Sequence, residues 1–134
     1  MTLAPHSRFA RAIIAVAAFY GLSGTALSAL TTHLPSSAFV PGGREMAWHG
    51  VWMQMWHAPV LLALGVAMIA SDRFRGYGFR WAAAGLSFGI ALFCAAVYAI
   101  AFTGRHSGIV APTGGMIVMA SWIMIGIAGL RVRA

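Results

Sequence analysis

Four runs free of formal charge, residues 13–30, 51–70, 81–102 and 115–130, take up most of the chain and are divided by short segments that carry its arginines. At about 1.5 Å of rise per residue each run approaches the roughly 30 Å of a hydrocarbon core, the last with the apolar residues before it included. The pattern predicts an all-α integral membrane protein with helices over about 12–32, 45–70, 79–102 and 113–131. The longest connection, 31–44, holds Pro35-Ser36-Ser37 and Pro41-Gly42-Gly43 and reads as an exofacial loop. The turns at 71–80 and 103–112 are short, so the default is one domain over 1–134, folded as an up-down-up-down antiparallel bundle.

The arginines orient that bundle. Arg8, Arg11, Arg73, Arg75, Arg80, Arg131 and Arg133 fall on one side, and only Arg44 and Arg105 on the other. By the positive-inside bias both termini and the middle turn are cytoplasmic, or face the matrix in a mitochondrion. Arg8, Arg11, the first apolar run and Ala26-Leu27-Ser28-Ala29 imitate a secretory leader. The expectation is nevertheless an uncleaved first helix.

Composition narrows the function classes. Hydrophobic residues make up 60% of the chain and charged ones 8%, with a mean hydropathy of +0.82. A net charge of +7 in a soluble protein would suggest nucleic acid. Here all nine basic residues are arginines gathered at helix ends, which suits topology and lipid headgroups, so no nucleic-acid partner is expected. Cys94, the single cysteine, reads as a small buried side chain.

Lipid is as apolar as leucine, so transmembrane helices associate by close packing. Candidate packing positions are Gly21, Thr25 and Ala29 on one stripe of the first helix, Gly24 and Ser28 on the next, and Gly85 and Gly89 in the third. Trp81 and Trp122 read as interfacial anchors.

The second helix is where chemistry would sit. Trp48, Trp52 and Trp56 recur every four residues, as do His49, Met53 and His57, and Gln54 lies one turn before His57. Pro59 predicts a kink beside His57. An imidazole and a carboxamide inside a membrane need partners, for which Thr25, Ser28, Ser87 and Tyr98 are candidates. His49, Met53 and His57 are the candidate ligands for copper or haem, although one helix offers at most three. His33 and His106 lie at exofacial helix ends and could join His49 but not His57. A proton-coupled carrier needs an embedded carboxylate. The chain's acids are Glu45, at the outer end of the second helix, and Asp72, in the cytoplasmic turn. No nucleophile, base and acid set suggests an enzyme. Pro112, Gly114 and Gly115 open the fourth helix, with Thr113 as its expected cap and the glycines as points of approach to the first or second helix.

Several segments together carry a resemblance. Ala26-Leu27-Ser28-Ala29-Leu30-Thr31-Thr32-His33 is similar to an ALGAFGAH segment, and Met53-Gln54-Met55-Trp56-His57 to YQ-x-x-H. Phe93-Cys94-Ala95-Ala96-Val97-Tyr98 resembles FSGSLY, Ala111-Pro112-Thr113-Gly114-Gly115 resembles TP-x-GG, and Ser121-Trp122 falls at a GW. These are the motifs of domain-of-unknown-function family 423, small inner-membrane proteins with a mitochondrial relative in animals. Order and spacing hold from about residue 20 to 130. The departures are Ser28 and Thr31 in place of glycines, Met53 in place of tyrosine, the loss of both serines and the glycine of FSGSLY, and Pro59. The matching polar and turn residues are His33, Gln54, His57, Tyr98, Pro112, Gly114 and Gly115. The resemblance implies four membrane helices and an inner-membrane address, bacterial or mitochondrial, but no reaction.

The functional expectation is a non-catalytic accessory or scaffold protein without a cofactor, lying in the lipid bilayer. Its partner would be a larger membrane complex, such as a respiratory or other energy-transducing one, or copies of itself. A haem- or copper-binding protein is the first alternative, and an oligomeric transporter of small molecules or lipids the second. The orientation is directly testable. A reporter enzyme active only outside the cytoplasm should be silent when fused after Leu130 and active when inserted between Ser37 and Ala38. The reverse pattern in colony assays would invert the topology.

Overall fold

The computed structural model describes residues 5–106 and 108–132, with the side chains of 5–7 left aside. Four helices account for nearly all of them: α1 (Pro5–His33), α2 (Gly43–Ala70), α3 (Tyr77–Thr103) and α4 (Val110–Leu130), with no strand among the described residues. Each is long and apolar enough to cross a membrane. Every helix outruns its charge-free run at the N-terminal end. α1 continues back through Arg11 and Arg8, whose side chains stand exposed on its first turns.

The helices end where the backbone needs glycine or a guanidinium. Gly42 (φ 74°) and Gly104 (φ 71°) hold left-handed conformations before α2 and after α3. That region carries a steric cost for any residue with a Cβ. Two arginines cap the free carbonyls of helix C-termini. Arg44 donates to the Thr31 carbonyl and, at 2.6 Å, to that of Leu34, while its guanidinium lies 4.7 Å from the Phe39 ring centroid. Arg75 donates to the carbonyls of Met68 (2.8 Å) and Ile69 (3.2 Å) and pairs with Asp72. So at least two arginines that the sequence assigns to topology also terminate helices. The connection between α1 and α2 contains a 3-10 turn at Ser36–Ala38 and is tied to α3 by the Val40 amide, which donates to the Ala101 carbonyl.

Packing is sequential. α1 lies along α2, α2 along α3 and α3 along α4, each pair antiparallel, with α1 touching α3 more lightly. α1 buries Ala10, Ile13, Ala17, Tyr20, Gly24 and Thr31, a three-four spacing that presents one seam. Thr31 is fully buried, and its hydroxyl has no hydrogen-bond partner among the described residues. α4 is the most peripheral helix and buries Gly114, Val118 and Ser121.

Glycine sets the closest approaches. A Cβ on Gly89 would stand 2.8 Å from the Gly114 carbonyl oxygen, and one on Gly114 would stand 2.6 Å from the Phe93 amide nitrogen. Gly85 lies against the Ser121 hydroxyl and Gly65 against Ile14 of α1. Gly24 faces Met55 and Gln54, with a Cβ there 3.0 Å from the Met55 sulfur, whereas Gly21 has nothing within 4 Å. Thr25 and Ala29 are exposed, with the Thr25 hydroxyl 3.9 Å from the Met55 sulfur at the edge of α2, so the Gly21 stripe faces outward beside α2 and the close approach to α2 is made at Gly24. Ser28 is half-buried.

The start of α4 also departs from expectation. The helix begins at Val110, which puts Pro112 inside its first turn. Thr113 does not cap it: its hydroxyl donates to the Ile109 carbonyl at 2.7 Å. Gly114 brings α4 against α3, not against α1 or α2, and Gly115 meets only the edge of Phe93, at 4.0 Å.

Where backbone fills the space, a methyl group must push helices apart. Gly89→Ala should destabilise the bundle by about 1–3 kcal/mol. Gly129→Ala, where nothing lies within 4 Å, should be neutral or stabilise by up to about 1 kcal/mol through helix propensity. Reversible unfolding in mixed micelles compares them.

Candidate functional site

Polar side chains inside the bundle converge on Gln54. Facing inward on α2 and only 4% exposed, it sits where α1, α2 and α3 meet. The Tyr98 hydroxyl donates to Gln54 Oε1 at 2.6 Å, Gln54 Nε2 donates to Ser23 Oγ at 2.7 Å, and Ser23 Oγ donates to the Phe19 carbonyl at 2.7 Å. One chain of hydrogen bonds therefore joins three helices and ends on a backbone acceptor. Beside it, the Tyr20 hydroxyl of α1 donates to the Ser87 carbonyl of α3 at 2.5 Å, and the buried Cys94 thiol faces the Gly50 carbonyl at 3.5 Å. Gly50 makes room for Tyr98, whose ring would lie 2.6 Å from a Cβ at that position.

This network forms the polar wall of a groove of about 560 Å³ between α1 and α3, open to the side and otherwise lined by apolar residues. Val16, Phe19 and Leu27 come from α1, and Ala91 and Ala95 from α3.

His57 is one turn further along and takes no part in that chain. Its Nδ1 donates to the Met53 carbonyl at 2.7 Å, and its Nε2 accepts from the indole N–H of Trp122 at 3.2 Å. Nε2 as acceptor makes the ring neutral, with its proton on Nδ1. The partner of His57 is thus α4, not the threonine, serines or tyrosine expected. Trp122 lies near the middle of α4, about 12 Å from its C-terminal end, and bridges to α2 there instead of anchoring at an interface.

The other expected positions scatter. Glu45 and His49 are exposed near the N-terminal end of α2, where they line a shallow pocket with Trp48 and Trp52. The Trp48 and Trp52 ring centroids are 6.3 Å apart, and His49 meets Trp52 edge-on at 5.8 Å. Met53 is half-buried and packs on the main core. His33 ends α1, far from His57 in register. Among the described residues no group of three His, Cys, Asp or Glu side chains is placed to hold a metal ion. α2 continues unbroken through Pro59.

Ser23 and Tyr20 were missed from sequence. The signal was present: Ala10, Ile13, Ala17 and Tyr20 mark the buried seam of α1, and Ser23 borders it. Ser23, one of several hydroxyl residues in α1, shows no partner in the sequence; the α1–α2 register places it against Gln54. Tyr98→Phe would leave Gln54 Oε1 without its donor. Mixed-micelle unfolding should show a loss of about 0.6–1.7 kcal/mol, the range of interhelical hydrogen bonds in membranes.

The family model "Protein of unknown function (DUF423)" matches residues 27–115, a span that includes Gln54, His57 and Tyr98. The chain is 30% identical over 126 residues to the UPF0382 inner membrane protein YgdD of Escherichia coli K12, covering 92% of each. It is 35% identical over 95 residues to the UPF0382 membrane protein YwdK of Bacillus subtilis 168, covering 69% of this chain and 75% of the relative. No solved structure matches it. Four apolar helices and relatives named for the inner membrane make it a multi-pass inner-membrane protein of the bacterial type. The matched span and the near full-length similarity show that the chain belongs to the DUF423 family of membrane proteins.

Proposed function

We propose that this protein is a non-catalytic packing subunit of the inner membrane, which associates through its outer helix faces with another membrane protein or with a second copy. The observation that carries the reading is the outward stripe of α1. Gly21 has no atom within 4 Å of a would-be Cβ, Thr25 and Ala29 are exposed, and the Thr25 hydroxyl bonds back to the Gly21 carbonyl at 2.8 Å. That leaves a smooth, small-residue face with no unmet hydrogen bond, the kind of surface on which a second transmembrane helix packs closely.

The interior supports the same reading. The side chains that could bear chemistry are tied to one another: Gln54 to Ser23 and Tyr98, and His57 to Met53 and Trp122. In this reading they hold the bundle together and need no cofactor. Close packing would satisfy the outer face of α1 in the same way that Gly24 satisfies its inner one.

The two glycines separate assembly from folding. In mild detergent, wild-type protein should migrate on native gels as an assembly larger than one 14.1 kDa chain in its micelle. Gly21→Leu should reduce it to the single-chain species with its unfolding midpoint unchanged, and Gly24→Leu should lower that midpoint. A monomeric wild type, or a Gly21→Leu variant that migrates as wild type, would sink the proposal.

A further inference from the structure

We propose that the groove between α1 and α3 is a binding site for an uncharged long-chain lipid alcohol, whose hydroxyl docks on Gln54, Tyr98 and Tyr20. This ligand site is distinct from the packing face of α1, since Phe19, Ser23 and Leu27 line the groove and Gly21 and Thr25 do not. The groove's volume of about 560 Å³ lies in the range of small-molecule sites.

Depth excludes charged headgroups. Gln54 lies about 5 Å inside the charge-free run that begins at Val51 and about 14 Å along α2 from Glu45, the nearest charged residue before it. A phosphate or ammonium carried to that depth would be strongly disfavoured. A neutral lipid with a weakly polar end can reach it.

Hydrogen-bond capacity then selects the head. The hydroxyl protons of Tyr20, Ser23 and Tyr98 are all engaged within the protein, as is the Cys94 thiol. What remains toward the groove is acceptor capacity on the tyrosine and serine oxygens. One Gln54 amide proton also remains, since among the described residues Nε2 donates only to Ser23. A hydroxyl uses both, accepting from Gln54 and donating to a tyrosine oxygen. A carbonyl or ether can only accept, and loses half of the match. The alkyl chain would lie along Val16, Phe19, Ala91 and Ala95.

The test is photolabelling of the full chain in detergent micelles with a diazirine-bearing hexadecanol, competed by hexadecanol or by its methyl ether. Labelling should map to groove residues of α1 and α3, and the alcohol should compete about tenfold better than the ether, the worth of one hydrogen bond. Ala95→Phe fills the groove from an exposed α3 position without touching the hydrogen-bonded chain. It should abolish labelling while leaving thermal unfolding unchanged. Equal competition by the ether would mean that any chain occupies the groove, as an annular phospholipid would, and would overturn the proposal. Absence of labelling, labelling elsewhere, or labelling that survives Ala95→Phe would overturn it equally.

Discussion

A carboxamide well below the headgroups has no water to bond to, and the hydrogen bonds of Gln54 are the interaction around which three of the four helices are arranged. In hydrocarbon an unmet amide costs several kcal/mol, so each polar end must find a partner inside the protein. Gln54 finds one on α1 and one on α3, at 2.7 and 2.6 Å. A shift of one turn in either neighbouring helix would break a bond and strand the amide. The network therefore specifies register even where its net contribution to stability is modest.

The rest of the bundle answers the same solvent. Because lipid provides no hydrophobic force between helices, contact depends on how closely backbones approach. That is why Gly85, Gly89 and Gly114 lie at the close α3–α4 contacts, and why α2 presents Gly43, Gly50 and Gly65 to its neighbours. Bulky residues go outward instead: Leu22, Trp56 and Trp81 are each more than 60% exposed, in place to meet acyl chains. At the helix ends the same constraint gives Arg44 and Arg75 a second task, since C-terminal carbonyls near the membrane surface need donors that loops alone do not supply.

Both ring nitrogens of His57 are engaged within the bundle. One ring nitrogen satisfies the carbonyl of the preceding turn, and the other receives the indole proton of Trp122. That bond links α2 to the peripheral α4, which otherwise rests on α3. The stripe of α1 through Gly21 carries none of these interhelical bonds, and the groove between α1 and α3 is open to the side.

The number of helices, their order and their membrane setting were legible in the chain alone, because a span of about 20 uncharged residues has few other stable forms in contact with lipid. Gln54, His57 and Tyr98 were legible for a related reason: a polar side chain stands out in an apolar run. Their partners were not. Ser23 looks like any serine in a helix, Trp122 like an interfacial anchor, and Gly21 and Gly24 like equal packing positions. Which face of α1 turns inward depends on helix rotation and register, set by side chains more than 30 residues away. Only the tertiary structure decides that Gly24 packs while Gly21 stays open, and that Gln54 and His57 belong to separate networks. The physical reason is that hydropathy depends on composition along a segment, whereas pairing between helices depends on a rotation that a uniformly apolar sequence barely constrains.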